Sequence, residues 1–365
     1  MNEAAGLTIR SLRVRAVLVP MKRPLQTSTG TVGVAPLALI DLESEQGPVG
    51  NSYLFCYTPH ALLPVKQLLD NLGQVLQGTS AAPADLDHRL QGMFRLLGLK
   101  GVVGMALAGI DMAAWDLLAR ARGLPLCRLL GGGTRRIQAY NSNGLGMIGP
   151  HDAAVQAEEL VAEGFSAIKV RLGYPQSRTD LDVVRAVRRA VGEGVVLMAD
   201  YNQALPVAEA LVRTQMLRHE GLAWVEEPTR ADDYSGHAQI RSKAGMPIQM
   251  GENWWGPHEM AACLAAGGSD LGMPDAMKIG GVTGWLRAAG LAEAAGMPLS
   301  SHLFPEVSAH LLAVTPTCHW LEYVDWATPV LQHPMRVDNG MAIPCGSLGT
   351  GIDWNEEAVQ RYLVP

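Results

Sequence analysis

Apolar and polar positions alternate through LRVRAVLVP and APLALIDLES, which predicts two strands near the start of the chain. Apolar residues three and four apart in ALLPVKQLLDNLGQVL and GMALAGIDMAAWDLLARARG predict helices instead. Together these make an α+β unit. The pattern changes near LLGGGTRRIQAY, where helical spacing gives way to glycines and then to an alternating apolar segment, so a domain boundary falls near residue 131. Beyond it, short apolar strands and amphipathic helices take turns: SAIKVR then LDVVRAVRRAV, VVLMAD then VAEALVRTQMLRHEG, LAWVEE then HAQIRSKAG. Repeats of this length predict a parallel sheet.

Polar residues interrupt that pattern where the strands stop. Lys169 and Arg171, Asp200 with Asn202, Glu226 and Glu227, Glu252, Asp275, His302 and Glu322 each close an apolar run, in steps of 20 to 29 residues. Ligands of parallel α/β proteins gather at the carboxyl ends of strands, and a closed (β/α)8 barrel would bring such positions to one rim. Lys169 and Arg171, two cations on one buried strand, would then face carboxylates.

Composition narrows the function classes. With 365 residues, 48% hydrophobic and 18% charged, the chain can bury a large core. A net charge of −6 with no basic cluster gives no footprint for nucleic acid or an anionic membrane surface. Five scattered cysteines without a CxxC pair read as reduced thiols. No signal-peptide pattern opens the chain and no uninterrupted membrane span follows, so a cytoplasmic protein is expected.

Asp200 in LMADYN, Glu226 in WVEEP and Glu252 in QMGEN come from three successive strands and offer only hard oxygen ligands, which suits Mg²⁺. A single acid more often caps a helix or pairs with a surface lysine, but three in succession argue against that. Asp275 in GMPDAMKIGG and His302 in PLSSHLF fall on adjacent strands, where a carboxylate can hold the far nitrogen of an imidazole and raise its basicity. Taken alone, His302 would more often be a satisfied core histidine. Lys278 reads equally as a rim cation or as packing beside Gly280 and Gly281, and is assigned to structure.

The stretches WVEEPTRADDYSGH, QMGENWWGP, MPDAMKIGGVTGW and SSHLFPEVSAHLLAVTPTCHWLEYVDW make the chain resemble, over essentially its whole length, the mandelate racemase group of the enolase superfamily. The resemblance implies a modified (β/α)8 (TIM) barrel over 131–330, an α+β capping domain over 1–130, and a C-terminal segment, 331–365, that returns to the cap. It implies that Asp200, Glu226 and Glu252 hold Mg²⁺ and that Lys169 contacts the substrate carboxylate. Asn202 would lie beside the substrate hydroxyl, and Ser142 would join the anion contacts. His302, backed by Asp275, would be one acid/base catalyst, and Glu322 would hydrogen-bond a carboxylate oxygen as negative charge builds there. A symmetric homo-oligomer is also implied.

Removing a proton alpha to a carboxylate creates an enediolate whose charge must be neutralised in place. A divalent ion, Lys169 and a neutral Glu322 carboxyl would do so, with Glu322 donating its proton to an oxygen. A desolvated site crowded with acids pushes a carboxyl toward that neutral form. Arg171 departs from the family pattern, which has a second lysine there as the catalyst opposite His302. Making a lysine neutral near pH ~7.5 costs about 4 kcal/mol, whereas an arginine requires about 7 to 9. Two readings stay open: Arg171 as a base, a neutral guanidine being the stronger one, or as a fixed anion clamp.

The loop LQTSTGTVGVAP and the segment SYLFCYTP resemble the part of the family that closes over the substrate, with Leu25, Thr27, Val32, Phe55 and Tyr57 as its lining. An apolar wall favours an aryl or alkyl 2-hydroxy acid over a sugar acid, although Thr27 and Thr29 weaken the inference. Gly30 and Gly33 permit the loop to move as a lid, or serve only as turn residues. The expected activity is racemisation of a small 2-hydroxy carboxylate of mandelate type. The alternatives are an acid-sugar dehydratase, in which His302 works alone and Arg171 clamps, and a silent relative that binds carboxylates without turnover.

Overall fold

In the computed structural model, which describes residues 6–28 and 30–364, the alternating N-terminal segments form β1 (Ile9–Thr27) and β2 (Gly30–Ser44), joined by β3 (Val49–Phe55) into an antiparallel meander. Thr29 lies outside the described residues. Against the sheet lie α1 (Pro59–Leu76) and α3 (Gly101–Ala121), and α2 (Pro83–Met93) packs on α3. By length and composition α3 could cross a membrane, contrary to the expectation that no segment approaches a span. Its apolar character has a different cause here. A helix packed on a sheet and on neighbouring helices is apolar nearly all round, and 72% of its apolar window is buried.

After the short α4 (Leu126–Leu129), the parallel strands follow in order: β4 (Ile137–Asn141), β5 (Ala167–Arg171), β6 (Val196–Asp200), β7 (Leu222–Glu226), β8 (Ile248–Met250) and β9 (Leu271–Gly272). The seventh position is a run of isolated bridges, Gly272 to Leu299 and Asp275 to His302, and the eighth is β10 (Leu321–Tyr323). Pairing of β10 with β4 closes the barrel. Helices α5 (Pro150–Ala162), α6 (Ser177–Val191), α7 (Val207–Leu217), α8 (Tyr234–Ala244), α9 (Pro257–Ala266), α10 (Gly281–Ala295) and α11 (Pro305–Ala313) connect the strands. The fold is thus a modified TIM barrel with a capping domain. Among the described residues no eighth barrel helix follows β10; the chain instead forms the short hairpin β11 (Val337–Asp338) and β12 (Met341–Ala342) and then α12 (Glu356–Tyr362).

Two contacts fix the cap over the barrel mouth. The β1–β2 hairpin reaches down so that Gln26 accepts from the Met147 N–H at 2.8 Å, and a Cβ on Gly146 would sit 2.6 Å from that same carbonyl oxygen. Only glycine permits this approach. Asp111 of α3 accepts the Thr283 N–H at 3.0 Å, so a carboxylate of one domain caps the first turn of α10 in the other.

Candidate active site

The second to eighth barrel strands each end by delivering a polar side chain into a shared floor. Lys169 Nζ lies 2.8 Å from Glu226, 2.8 Å from Glu322 and 3.2 Å from Asp200. Asp200, Glu226 and Glu252 can each offer a carboxylate oxygen within 4.8 Å of the other two. His302 Nδ1 stands 2.7 Å from Asp275, and its Nε2 is 3.1 Å from Glu252 and 3.8 Å from Glu322. All of these residues are buried.

The backbone that presents them is strained. Asn202, Gln203, Glu227, Leu303 and Phe304, which follow the strand ends, have φ of 45°, 65°, 31°, 49° and 47°, in the left-handed region that favours glycine. The turn at Asn202 lets its N–H donate to Asp200 at 2.7 Å and leaves its buried Oδ1 without a partner, an acceptor suited to a substrate hydroxyl. The turn at Leu303 aims its N–H at Glu322 at 2.9 Å.

Burial pushes the Glu226 carboxyl up and neighbouring Asp200 pushes the same way; Lys169 offsets only part, so it lies well above the usual carboxylate range. Burial and Glu252 likewise drive Glu227 to about 8. Burial would lower the Lys169 ammonium, but Glu226 and Glu322 hold it well above its ordinary value. For His302 burial acts downward too, yet Glu252, Glu322 and the bond to Asp275 outweigh it and raise the imidazole well above its ordinary value. Burial acts upward on Glu252, and His302 outweighs it, leaving that carboxyl well below its usual range.

Glu322 corrects an expectation. Burial alone would keep it neutral, but Lys169, His302 and the Leu303 N–H outweigh burial and hold its carboxyl at about 2. Its oxygens accept from Lys169 and the Leu303 N–H, which shifts the carboxyl in the direction opposite to the one expected from crowding. Ser142 differs as well: its hydroxyl accepts from Arg171 Nη2 at 2.8 Å, behind the arginine, and it does not line the cavity. Arg171 Nη1 donates to the carbonyls of Ser142 at 2.7 Å and Gly144 at 2.9 Å, while its buried Nε has no partner.

Above this floor opens a cavity of about 510 Å³. Lys169, Arg171, Asp200, Asn202, Glu252, His302 and Glu322 meet there with Leu25, Thr27, Val32, Phe55 and Tyr57, while Glu226 and Asp275 lie beneath. Gln203, Asn253, Trp255 and Trp326 also line it without having been singled out in the sequence. Gln203 and Asn253 directly follow polar strand-end residues, a positional signal that could have found them. Lys278, assigned above to structure, lines the cavity too.

Residues 152–358 match the family model described as enolase C-terminal domain-like, and 9–131 match the mandelate racemase / muconate lactonizing enzyme N-terminal domain. The chain belongs to the enolase superfamily, in its mandelate racemase and muconate lactonizing enzyme branch. Superfamily structures similar to it include an enolase from alpha proteobacterium BAL199 with bound Mg, 44% identical, TM-score 0.96, covering 98% of this chain and all of that one. An enolase from Bradyrhizobium complexed with magnesium and mandelic acid is 44% identical with a TM-score of 0.95, covering 99% of this chain and all of that one. The L-talarate/galactarate dehydratase of Salmonella typhimurium is 31% identical over 80% of this chain and 73% of the dehydratase.

Mg²⁺ is the cofactor of this superfamily enzyme, and the donor set fits it. Three buried carboxylates converge, their crowding drives Glu226 upward, and Lys169 offsets only part of that charge. Asp200, Glu226 and Glu252 are the residues that would hold the ion. When bound, Mg²⁺ supplies positive charge against the oxygens of a reacting carboxylate.

Proposed function

We propose that this enzyme transfers the alpha proton of a 2-hydroxy carboxylate through an enediolate, as a racemase of mandelate type. The observation that carries the reading is His302, held from beneath by Asp275, opening on the same cavity as Lys169 and Arg171. Arg171 ends the second barrel strand and His302 the seventh, three positions apart around a ring of eight and so nearly across its mouth.

Lys169 receives the substrate carboxylate, and the open Oδ1 of Asn202 receives its hydroxyl. Asp275 fixes the imidazole so that Nε2 faces the reacting carbon; in its neutral form that nitrogen takes the alpha proton, and in its protonated form it returns one. Arg171 faces the other side with its unpartnered Nε–H. The apolar wall of Leu25, Val32 and Phe55 suits an aryl or alkyl side chain, and the mandelic acid bound by the Bradyrhizobium relative supports that class.

One observation favours a second reading. Three protein acceptors tie the Arg171 guanidinium, as befits a fixed cation, and the dehydratase relative points to one-sided chemistry in which His302 both removes the alpha proton and protonates a departing 3-hydroxyl. Polarimetry of each mandelate enantiomer with enzyme and Mg²⁺, run beside a 2-keto acid assay on a panel of sugar acids, decides between them. Loss of optical rotation supports the racemase; keto-acid formation without it replaces that reading with the dehydratase.

A further inference from the structure

The cavity has a second charged feature that proton transfer does not use. Lys278 is buried, and its ammonium stands 4.4 Å over the ring of Tyr57 and 5.9 Å from that of Trp255. It donates one hydrogen bond, 2.6 Å to Oδ1 of Asn253. The Asn253 amide is itself fixed, because its Nδ2 donates to Glu227 at 2.7 Å and to Glu252 at 2.9 Å, which leaves its oxygen for the lysine. Asp200, Glu226 and Glu322 are paired with Lys169, and Glu252 with His302, while the Lys278 charge acts on Glu227 and Glu252 across Asn253 without direct contact. Among the described residues Lys278 makes no ion pair.

An ammonium carries three N–H donors, and a ring face satisfies its charge better than its directed hydrogen bonds. A buried cation with one acceptor therefore has capacity for another, and Lys278 lines the cavity from which that acceptor would come. Its position tells which part of a ligand it meets. Tyr57 belongs to the capping-domain wall over the substrate's side chain, whereas the reacting carboxylate is received below by Lys169. An ammonium seated on Tyr57 faces the distal end.

We propose that Lys278 is a specificity-determining residue that accepts 2-hydroxy acids whose side chain ends in an oxygen substituent. A ring-hydroxylated aryl acid is the simplest that also suits the apolar wall. The inference rests on the reading of the site as a 2-hydroxy acid site.

The test measures calorimetric binding of 3-hydroxymandelate, 4-hydroxymandelate and 4-methylmandelate, with Mg²⁺ present, to the unmodified enzyme, Lys278→Met and Lys278→Arg, alongside alpha-proton exchange. The better of the two hydroxymandelates should bind the unmodified enzyme at least about tenfold more tightly than the methyl compound, because a polar site rejects an analogue lacking its partner. Lys278→Met should bring that ratio close to one, and Lys278→Arg should retain part of it. If Lys278 only braces Asn253, the methionine variant weakens all three acids alike and the ratio survives, which overturns the inference. So does a ratio near one, or no binding, in the unmodified enzyme. Should Lys278→Met fail to fold, the unmodified ratio and the arginine variant decide. A retained ratio without any alpha-proton exchange sinks the proposed reaction and leaves this inference standing.

Discussion

His302 Nδ1 lies 2.7 Å from Oδ2 of Asp275, while Asp275 Oδ1 accepts the backbone N–H groups of Met277 and Lys278 at 2.7 and 3.0 Å. The carboxylate is thus held by its own loop before it holds the imidazole. Asp275→Asn keeps the shape but loses the charge that orients the ring's proton. It should lower alpha-proton transfer about 10²- to 10⁴-fold with Mg²⁺ affinity nearly unchanged. Steady-state kinetics beside a calorimetric Mg²⁺ titration checks this; full activity would remove Asp275 from the mechanism.

Arg171→Lys should accelerate interconversion of mandelate enantiomers by at least about tenfold, because a lysine reaches its neutral form for about 3 to 5 kcal/mol less than an arginine. A lysine also gives up the three bonds that tie the guanidinium to Ser142 and Gly144. Circular dichroism of a single enantiomer over time reads the rate. Slower interconversion in the variant would show that Arg171 itself moves the proton.

Mg²⁺ should stabilise the fold, since it binds the native carboxylate cluster and not the unfolded chain. At about 100 times its dissociation constant the expected gain is about 2.7 kcal/mol. Thermal melts with Mg²⁺ and with chelator should separate for the unmodified protein and coincide for Asp200→Ala. Equal separation in both would place the ion elsewhere.

His310 predicts an acid-sensitive fold away from the site. Its Nδ1 accepts the Cys127 N–H at 3.2 Å, and burial lowers its pKa to about 4 from an unfolded value near 6.5. Above the unfolded value both states are neutral and the contribution is fully present. As pH falls from 6.5 toward 4 the unfolded chain takes up a proton that the native one refuses, and stability drops, by about 2 kcal/mol at pH ~5. Urea midpoints at pH 7 and 5 should differ more for the unmodified protein than for His310→Asn. An equal fall would assign the sensitivity to other groups.

The ladder of strand-end residues was legible because a barrel strand writes itself as an apolar run stopped by a polar residue, and closure turns order along the chain into proximity. Lys169, Asp200, Glu226, Glu252 and Glu322 needed nothing more. What the sequence did not carry depends on backbone direction and on partners from distant segments. The Glu322 carboxyl is shifted downward, against the expectation, partly because Leu303 turns into the left-handed region and offers its N–H. Ser142 sits behind Arg171 because the guanidinium folds back onto the loop after β4. Lys278 could not be told from packing, since the ring beneath it comes from the other domain.

His302 is proposed to move the alpha proton of a 2-hydroxy acid, and solvent deuterium reads that event directly. With Mg²⁺ in D₂O, proton NMR should show the alpha hydrogen of at least one mandelate enantiomer exchanging in the presence of the unmodified protein, and His302→Asn should abolish that exchange. Persistence of the alpha signal across mandelates and sugar acids alike, or undiminished exchange in His302→Asn, would contradict the account.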